Sequence, residues 1–483
     1  MQLSQLIQAI DPLKVVGDTN IDITDICFDS RSVQPGSLFV AMRGTQVDGH
    51  RFLAQAIDRG AAALVVSDWS AAPTGVTQVQ VADTASALGL MADRFYDQPS
   101  GKVHLVGVTG TNGKTTTVTL LYDLFTALGY KCGLLSTIRV RIGQAEIDAT
   151  HTTPDAVQNH QLLADMVEAG CDYVFMEVSS HAVHQKRISG LRFRVAVFTN
   201  ITHDHLDYHG TFANYLAAKK AFFDDLPPRA YALVNIDDRR GKVMVQNTQA
   251  QIRHYSLHRM ADFRGRLLEN SINGLHLELD GVELYCQLIG GFNAANILAA
   301  YGVARLLDQE QREVLQAISA LKPAEGRFDA VQSLDRHITG IVDYAHTPDA
   351  LEKVLQTLDE LRQAESRIVT VVGCGGDRDR SKRPKMGAVA VRYSDQVILT
   401  SDNPRGEEPG AIIRDMEAGI STEDRAKVLS ITDRREAIRT ACRLAEKGDV
   451  VLVAGKGHEK YQEIDGVKYP FDDKEVLKAE LLG

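Results

Sequence analysis

The sequence lacks a cysteine framework. Its six cysteines (Cys27, Cys132, Cys171, Cys286, Cys374, Cys442) are scattered over 483 residues with no C-x-x-C pair. Disulfide scaffolds and thiolate metal sites need clustered spacing, so reduced, mostly buried thiols are expected. A basic excess is missing too: 53 Lys and Arg against 63 Asp and Glu leave a net charge of −10. That balance argues against nucleic acid or an anionic membrane as a bulk partner, though a local pocket can still take a small anion. No stretch reaches the ~18 uninterrupted apolar residues of a membrane span. The opening MQLSQLIQAIDPLKVV has no basic start followed by an apolar run, so no signal peptide is expected. Internal repeats, low-complexity tracts and long charge runs are absent as well. A soluble, cytoplasmic protein is the expectation.

What is present divides into three blocks, 1–99, 100–328 and 329–483, which suits a chain too long for one core. The first holds short mixed elements, LFVAM, FLAQAIDRGA and AALVVS, and ends at Asp97-Gln98-Pro99-Ser100-Gly101, a polar stretch that reads as a linker. The second opens with an apolar strand, a glycine turn and a helix, VHLVGVTGTNGKTTTVTLLYDLFTALG, followed by the strand-like DYVFMEVS, VAVFTNI and YALVNI. Such buried runs predict a parallel sheet. Alternation around Asn273-Gly274 and Asp280-Gly281 predicts an antiparallel insertion near 265–290. The third block has apolar strands at HITGIVDY, RIVTVVGC, QVILTS and DVVLVAG between helical stretches, implying a doubly wound, Rossmann-like sheet. The fold class is therefore α/β: a small mixed N-terminal domain, a central phosphate-loop domain and a C-terminal doubly wound domain.

The strongest chemical signal is Gly110-Thr111-Asn112-Gly113-Lys114-Thr115-Thr116, between strand and helix. Glycines let backbone N–H groups face phosphate oxygens, and the helix N-terminus adds partial positive charge. Lys114 would reach the β- and γ-phosphates and Thr115 would offer a hydroxyl to Mg²⁺. The general G-x-x-x-x-G-K-[ST] pattern is missed by one position, because Val108 stands where its first glycine belongs.

The shorter G-T-x-G-K-T loop resembles that of the Mur ligases and the related folylpolyglutamate synthetases, and the resemblance extends over most of the chain. It implies a second metal ion, beside the Mg²⁺ that Thr115 serves, held by Glu177 of MEVSSH and His205 of TNITHDHLDYHG; His203 and His209 flank the motif and read as solvated loop histidines. Tyr215-Leu216-Ala217-Ala218-Lys219 resembles a segment whose lysine is carbamylated, although Lys219 and its neighbour Lys220 would otherwise read as a solvated helix face. Asn293 and Asn296, three apart, match an N-x-x-N segment; Asn296 is assigned to ATP, and Asn293 could instead be a helix N-cap. Arg327 is assigned to the phosphates and Asp343 to ribose or a domain-closure contact.

For the acceptor, the resemblance implies that Ser30, His151, Thr152, Thr153, Ser179, Gln185 and Arg187 hold UDP-N-acetylmuramoyl-L-alanyl-D-glutamate. For the amino acid, Asp402-Asn403-Pro404-Arg405 resembles the quartet of members that add meso-diaminopimelate. A guanidinium favours the second carboxylate of diaminopimelate and repels the lone distal ammonium of lysine. Arg378, Gly455 and Glu459 would complete that pocket, with Arg383 as an alternative to Arg378. The implied activity is ATP-dependent ligation through an acyl phosphate, with Lys114, Lys219, Arg327 and Asp343 in the reacting centre and a monomeric protein. A lysine-adding relative, or a phosphate-loop NTPase regulator without ligase chemistry, are the alternatives.

Overall fold

The structure is a computed structural model that describes all residues except 45–46, 70–74, 149–151, 203, 334, 364 and 483, with no side-chain description at 148 and 207. His151 and His203 therefore lie outside the described residues. The chain forms two compact units, Met1–Phe263 with Ala299–Val314, and Arg264–Leu298 with Leu315–Gly483.

In the first unit, the N-terminal strands β1 (Lys14–Val16), β2 (Asp25–Cys27), β3 (Ser37–Val40), β4 (Ala63–Val66) and β5 (Thr77–Gln80) align as β1-β5-β4-β3-β2. Only the β1–β5 pair among them is antiparallel. The expected linker is an ordered turn: Asp97 and Gln98 take left-handed φ of 58° and 53°, and Pro99 and Ser100 are buried. A second sheet in this unit runs β13 (Gln251–Ser256), β12 (Tyr231–Asn235), β11 (Val195–Phe198), β6 (His104–Thr109), β10 (Tyr173–Glu177), β7 (Cys132–Leu135), β8 (Arg139–Ile142), β9 (Ala145–Asp148). From β13 to β7 every pair is parallel. The β7–β8–β9 edge is antiparallel, an addition that the sequence pattern did not disclose. Strands such as YVFME and VAVF are buried along their whole length, which is why they read as continuous apolar runs.

In the second unit, β14 (Phe263–Ser271, the unit starting at Arg264), β15 (Gly274–Leu279) and β16 (Val282–Cys286) form the expected antiparallel insertion. Asp280 and Gly281, at φ 46° and 83°, make the two-residue turn between β15 and β16. The C-terminal sheet orders β17 (Asp329–Ser333), β18 (Ile338–Asp343), β22 (Val450–Ala454), β19 (Ile368–Cys374), β20 (Gln396–Ser401) and β21 (Val428–Ser430). All its pairs are parallel except β17–β18. Alternate residues feed two cores. Ile341, Val372, Leu399 and Leu452 pack with Leu351, Leu355, Met386 and Ile412 on one face. Val342, Val371, Ile398 and Val453 pack with Ile438, Ala441 and Leu477 on the other. Helices on both faces make the sheet doubly wound, as expected, and place the loops after its parallel strands at one edge. A small hairpin, β23 (Tyr461–Ile464) and β24 (Val467–Pro470), follows β22. All six cysteines are free and buried, and no helix among the described residues is long and apolar enough to cross a membrane.

Candidate active site

The phosphate loop leaves β6 and enters the helix Lys114–Ala127. Gly113 lies at φ 86° and Gly110 at φ 158°, and a Cβ on Gly110 would stand 1.9 Å from Thr199 Oγ1. No other residue fits there without moving the loop. The segment after β11 forms a brace behind it. Thr199 donates to Asn112 O at 2.7 Å, the Asn112 N–H donates to Asn200 Oδ1 at 3.0 Å, and the Thr111 N–H donates to Asn200 O at 2.8 Å. Lys114 folds back, donating to the Gly110 and Thr111 carbonyls at 2.9 Å each. Thr115 and Thr116 are buried in the first turn of the helix.

Lys219 corrects the solvated-face reading of its helix, Phe212–Asp224. It is 1% exposed, and its Nζ donates to Gly110 O at 2.8 Å. Burial first, and the charge of Lys114 second, hold its amine well below the ordinary value of 10.5. Lys220 instead pairs with Asp224 at 2.6 Å. His209 also departs from expectation: it is buried, with Nε2 3.0 Å from Ser180 Oγ. His205 sits at φ 52° with its side chain 46% exposed, 3.5 Å from Asp204 and with its ring edge-on to His181 at 4.9 Å.

Glu177 ends β10 and is fully buried; its oxygens accept from the Thr137 N–H at 2.7 Å and the Thr137 hydroxyl at 3.1 Å. Several of the predicted precursor-binding residues gather around this strand end. Thr152 Oγ1 lies 3.0 Å from Thr137 Oγ1, and the Thr153 hydroxyl donates to Glu177 O at 2.8 Å. Arg187 donates to Thr153 O at 2.9 Å and grips Gln185 Oε1 at 3.0 and 2.6 Å. Ser179 caps the helix Ser180–His184, accepting from the Ala182 N–H. Ser30 lies elsewhere in this unit, buried, with its hydroxyl donated to Gln55 Oε1 at 2.8 Å. Thr137 went unread because an isolated threonine carries no spacing signal. Among the described residues no three His, Cys, Asp or Glu side chains form a metal cluster.

In the second unit Asn296 donates to Asn293 Oδ1 at 3.0 Å, and Asn293 donates to Ile289 O at 2.8 Å from inside the helix Gly291–Leu306. The N-cap reading of Asn293 is thereby overturned. Arg327 lies over the Tyr344 ring at 4.5 Å. Asp343 is buried and accepts from the Phe328 and Ala345 N–H groups at 2.7 and 2.8 Å, clamping Phe328 at φ 51°. Burial pushes its carboxyl up, against the opposing pull of Arg327.

The loops after β19, β20 and β22 converge, as expected for strand ends of a doubly wound sheet. Gly455, at φ 115°, would place a Cβ 2.6 Å from Asp402 Oδ2. Asn403 is fully engaged: Nδ2 donates to Glu459 at 2.7 Å, and Oδ1 accepts from Lys456 at 2.9 Å and the Glu463 N–H at 2.9 Å. Lys456, which sequence reasoning passed over, is fully buried and also donates to Glu459 at 3.1 Å. Arg405, at φ 51°, donates to Gly376 O at 2.8 Å, and the carbonyl of the preceding Pro404 crowds Gly376, lying 1.8 Å from where a Cβ there would be. Arg378 is exposed at the rim. Arg383 is not its substitute: fully buried, it is locked to Glu407 at 2.8 Å and Asp415 at 2.9 Å. The hydrogen bonds from Arg383 are the main cause that draws Glu407 down to about 2.

Fold and site together define a modular α/β protein with a phosphate loop in one unit and, in the other, a cluster of hydrogen-bonded polar side chains at the strand ends of its doubly wound sheet. Residues 22–96 match the Mur ligase family catalytic domain, 108–304 the Mur ligase middle domain, and 326–457 the Mur ligase glutamate ligase domain. A UDP-N-acetylmuramoyl-L-alanyl-D-glutamate--2,6-diaminopimelate ligase from Cytophaga hutchinsonii is 56% identical over 480 residues, 99% of this chain and 98% of that one. One of the same description from Geobacillus kaustophilus is 42% identical over 489 residues, 99% of each. A solved structure of a ligase so described covers 100% of this chain and 99% of its own, with 33% identity and a TM-score of 0.72. The chain belongs to the Mur ligase family.

Proposed function

We propose that the protein is an ATP-dependent ligase that joins meso-diaminopimelate to the D-glutamate of UDP-N-acetylmuramoyl-L-alanyl-D-glutamate, in peptidoglycan precursor synthesis. The observation that carries this reading is Arg405, locked at the end of β20 in a chain that also bears the phosphate loop. A guanidinium there answers a carboxylate at the far end of the amino acid; lysine has none, so the lysine-adding alternative is disfavoured. Three modules, 1–99 for the uridine end, 100–328 for ATP and 329–483 for the amino acid, divide the work in a cytoplasmic monomer.

Lys114 exchanges its loop carbonyls for the β- and γ-phosphates, and the backbone N–H groups of Gly110–Thr116 follow the phosphate oxygens. Thr152, Thr153, Ser179, Gln185 and Arg187 present the γ-carboxylate of glutamate, one oxygen of which attacks the γ-phosphorus while ADP leaves. The diaminopimelate amine then attacks the acyl carbon, loses a proton and expels phosphate. Glu459 accepts the distal ammonium and Arg405 the distal carboxylate, with Arg378 at the rim. Arg327 is the cation assigned to the phosphates, whose developing charge it would offset. The Lys219 amine, whose protonation burial disfavours, would be a nucleophile for CO₂. Its carbamate, with Glu177 and His205, would hold one Mg²⁺ and the Thr115 hydroxyl a second, and these ions would supply positive charge at the transferring phosphoryl group.

The test is turnover with purified protein. Phosphate release should require the precursor and diaminopimelate together, and the product mass should equal the precursor plus diaminopimelate less water. Arg405→Ala should raise KM for diaminopimelate about tenfold or more, the worth of a charged hydrogen bond, with KM for ATP within about twofold. ATP turnover indifferent to the amino acid would instead favour an NTPase regulator.

A further inference from the structure

Arg405 already faces an anion that belongs to the chain. Its Nε lies 3.4 Å from Glu463 Oε2, and the two side chains are 21% and 25% exposed. Neither is free to drift away, because β23 is laced to the Asp402–Arg405 loop. The Arg405 N–H donates to Glu463 O at 3.0 Å, the Asp465 N–H to Arg405 O at 2.8 Å, the Glu463 N–H to Asn403 Oδ1 at 2.9 Å, and Gln462 to Asp402 O at 2.8 Å. The left-handed φ of Arg405, 51°, is held by the same lacing. One guanidinium N–H is spent on Gly376 O, and the carboxylate of Glu463 has no hydrogen-bond donor among the described residues.

We infer that Glu463 is a specificity-determining residue, a built-in counter-anion that sets how strongly Arg405 attracts the distal carboxylate of the amino acid. The inference rests on the diaminopimelate reading of this pocket. The neighbouring charges have other partners. Lys456 is committed to Glu459 and Asn403, Glu407 to Arg383 and Arg380, Asp377 accepts from the Gly406 N–H, and Lys468, opposite Glu463 in the β23–β24 hairpin, holds its Nζ 4.2 Å from the centre of the Tyr461 ring. An incoming carboxylate therefore meets a guanidinium whose charge is partly offset, and it must share that cation with Glu463. The distal ammonium of lysine, which Arg405 alone would repel, meets a weaker barrier for the same reason. Glu463 thus lowers affinity for diaminopimelate and narrows discrimination against lysine, while keeping the guanidinium aimed when the pocket is empty.

Glu463→Gln deletes the charge and keeps an oxygen acceptor of the same reach. In steady-state assays of the full chain, KM for diaminopimelate should fall about three- to tenfold, a partly screened like-charge effect. Turnover number and KM for ATP should stay within about twofold, and the diaminopimelate-to-lysine ratio of kcat/KM should rise. A merely structural role would not produce tighter binding. A KM for diaminopimelate that is unchanged or raised in Glu463→Gln, with the melting temperature intact, overturns the inference. So does a rise in both Glu463→Gln and Glu463→Ala, since that assigns Glu463 only to propping Arg405. Arg405→Ala separates the two levels: an unmoved KM there would sink the diaminopimelate reading itself, whereas a raised KM beside an unresponsive Glu463→Gln would sink only this inference.

Discussion

Lys219 shows how far a single residue's environment departs from its type. A lysine on a helix is ordinarily solvated, yet this one is enclosed, with Gly110 O as its near partner and Lys114 as a charged neighbour. Its burial and the charge of Lys114 both favour the neutral amine. Unfolding releases the side chain to its usual value of 10.5, so at neutral pH the unfolded chain binds a proton that the folded one resists. Stability from this group therefore rises as pH climbs toward 10.5 and is lowest on the acid side. In CO₂-free buffer, the melting temperature of the wild type should rise between pH 7 and pH 9 more steeply than that of Lys219→Met. Parallel curves would show that the amine is protonated inside the fold. Adding bicarbonate should restore turnover to CO₂-depleted wild type and leave Lys219→Met unchanged.

At the scale of elements, the pocket depends on where β20 and β22 stop. Arg434, on the helix Arg434–Leu444, donates to Ser401 O at 3.4 Å and Ala454 O at 3.1 Å, the last residues of those strands. Its charge is matched by Asp473, 2.7 Å away, and neither side chain has exposed surface. Removing one partner strands a buried charge at a cost of about 3–5 kcal/mol, whereas replacing both with apolar groups restores much of the loss. Asp473→Ala should lower the urea midpoint sharply, and the double variant Arg434→Met, Asp473→Leu should recover most of it. A single variant as stable as the wild type would mean that the pair contributes little. Such a clamp is invisible in sequence, because Arg434 and Asp473 are 39 positions apart and each reads as a surface charge. The strands it holds were legible, since β18, β19, β20 and β22 are buried apolar runs. The hairpin β23–β24 was not: β24 is exposed throughout and offers no alternation to read. Motif residues such as Gly110, Lys114 and Arg405 could be found by order and spacing. Lys456 and Glu463 could not, because a lone lysine or glutamate in a loop is solvated in most chains.

At the scale of the whole molecule, the phosphate loop belongs to one compact unit and the Arg405 pocket to the other. A chain that merely hydrolysed ATP would have no use for the second. In the ligase chemistry a carboxylate oxygen of glutamate becomes a phosphate oxygen, because that oxygen attacks phosphorus and stays with it when the amine expels the leaving group. In hydrolysis the new phosphate oxygen comes from water. Precursor carrying ¹⁸O in the γ-carboxylate, turned over with diaminopimelate and ATP in ordinary water, should yield phosphate with one label derived from the precursor. The peptide product should keep the other oxygen as its new amide carbonyl. The same reaction in ¹⁸O water with unlabelled precursor should leave the phosphate unlabelled, since an acyl phosphate shielded from water has no route to exchange. Phosphate labelled from the solvent would place water, and not the glutamate carboxylate, at the phosphorus, and the assignment of Thr153, Arg187 and their neighbours to the precursor would fall with it.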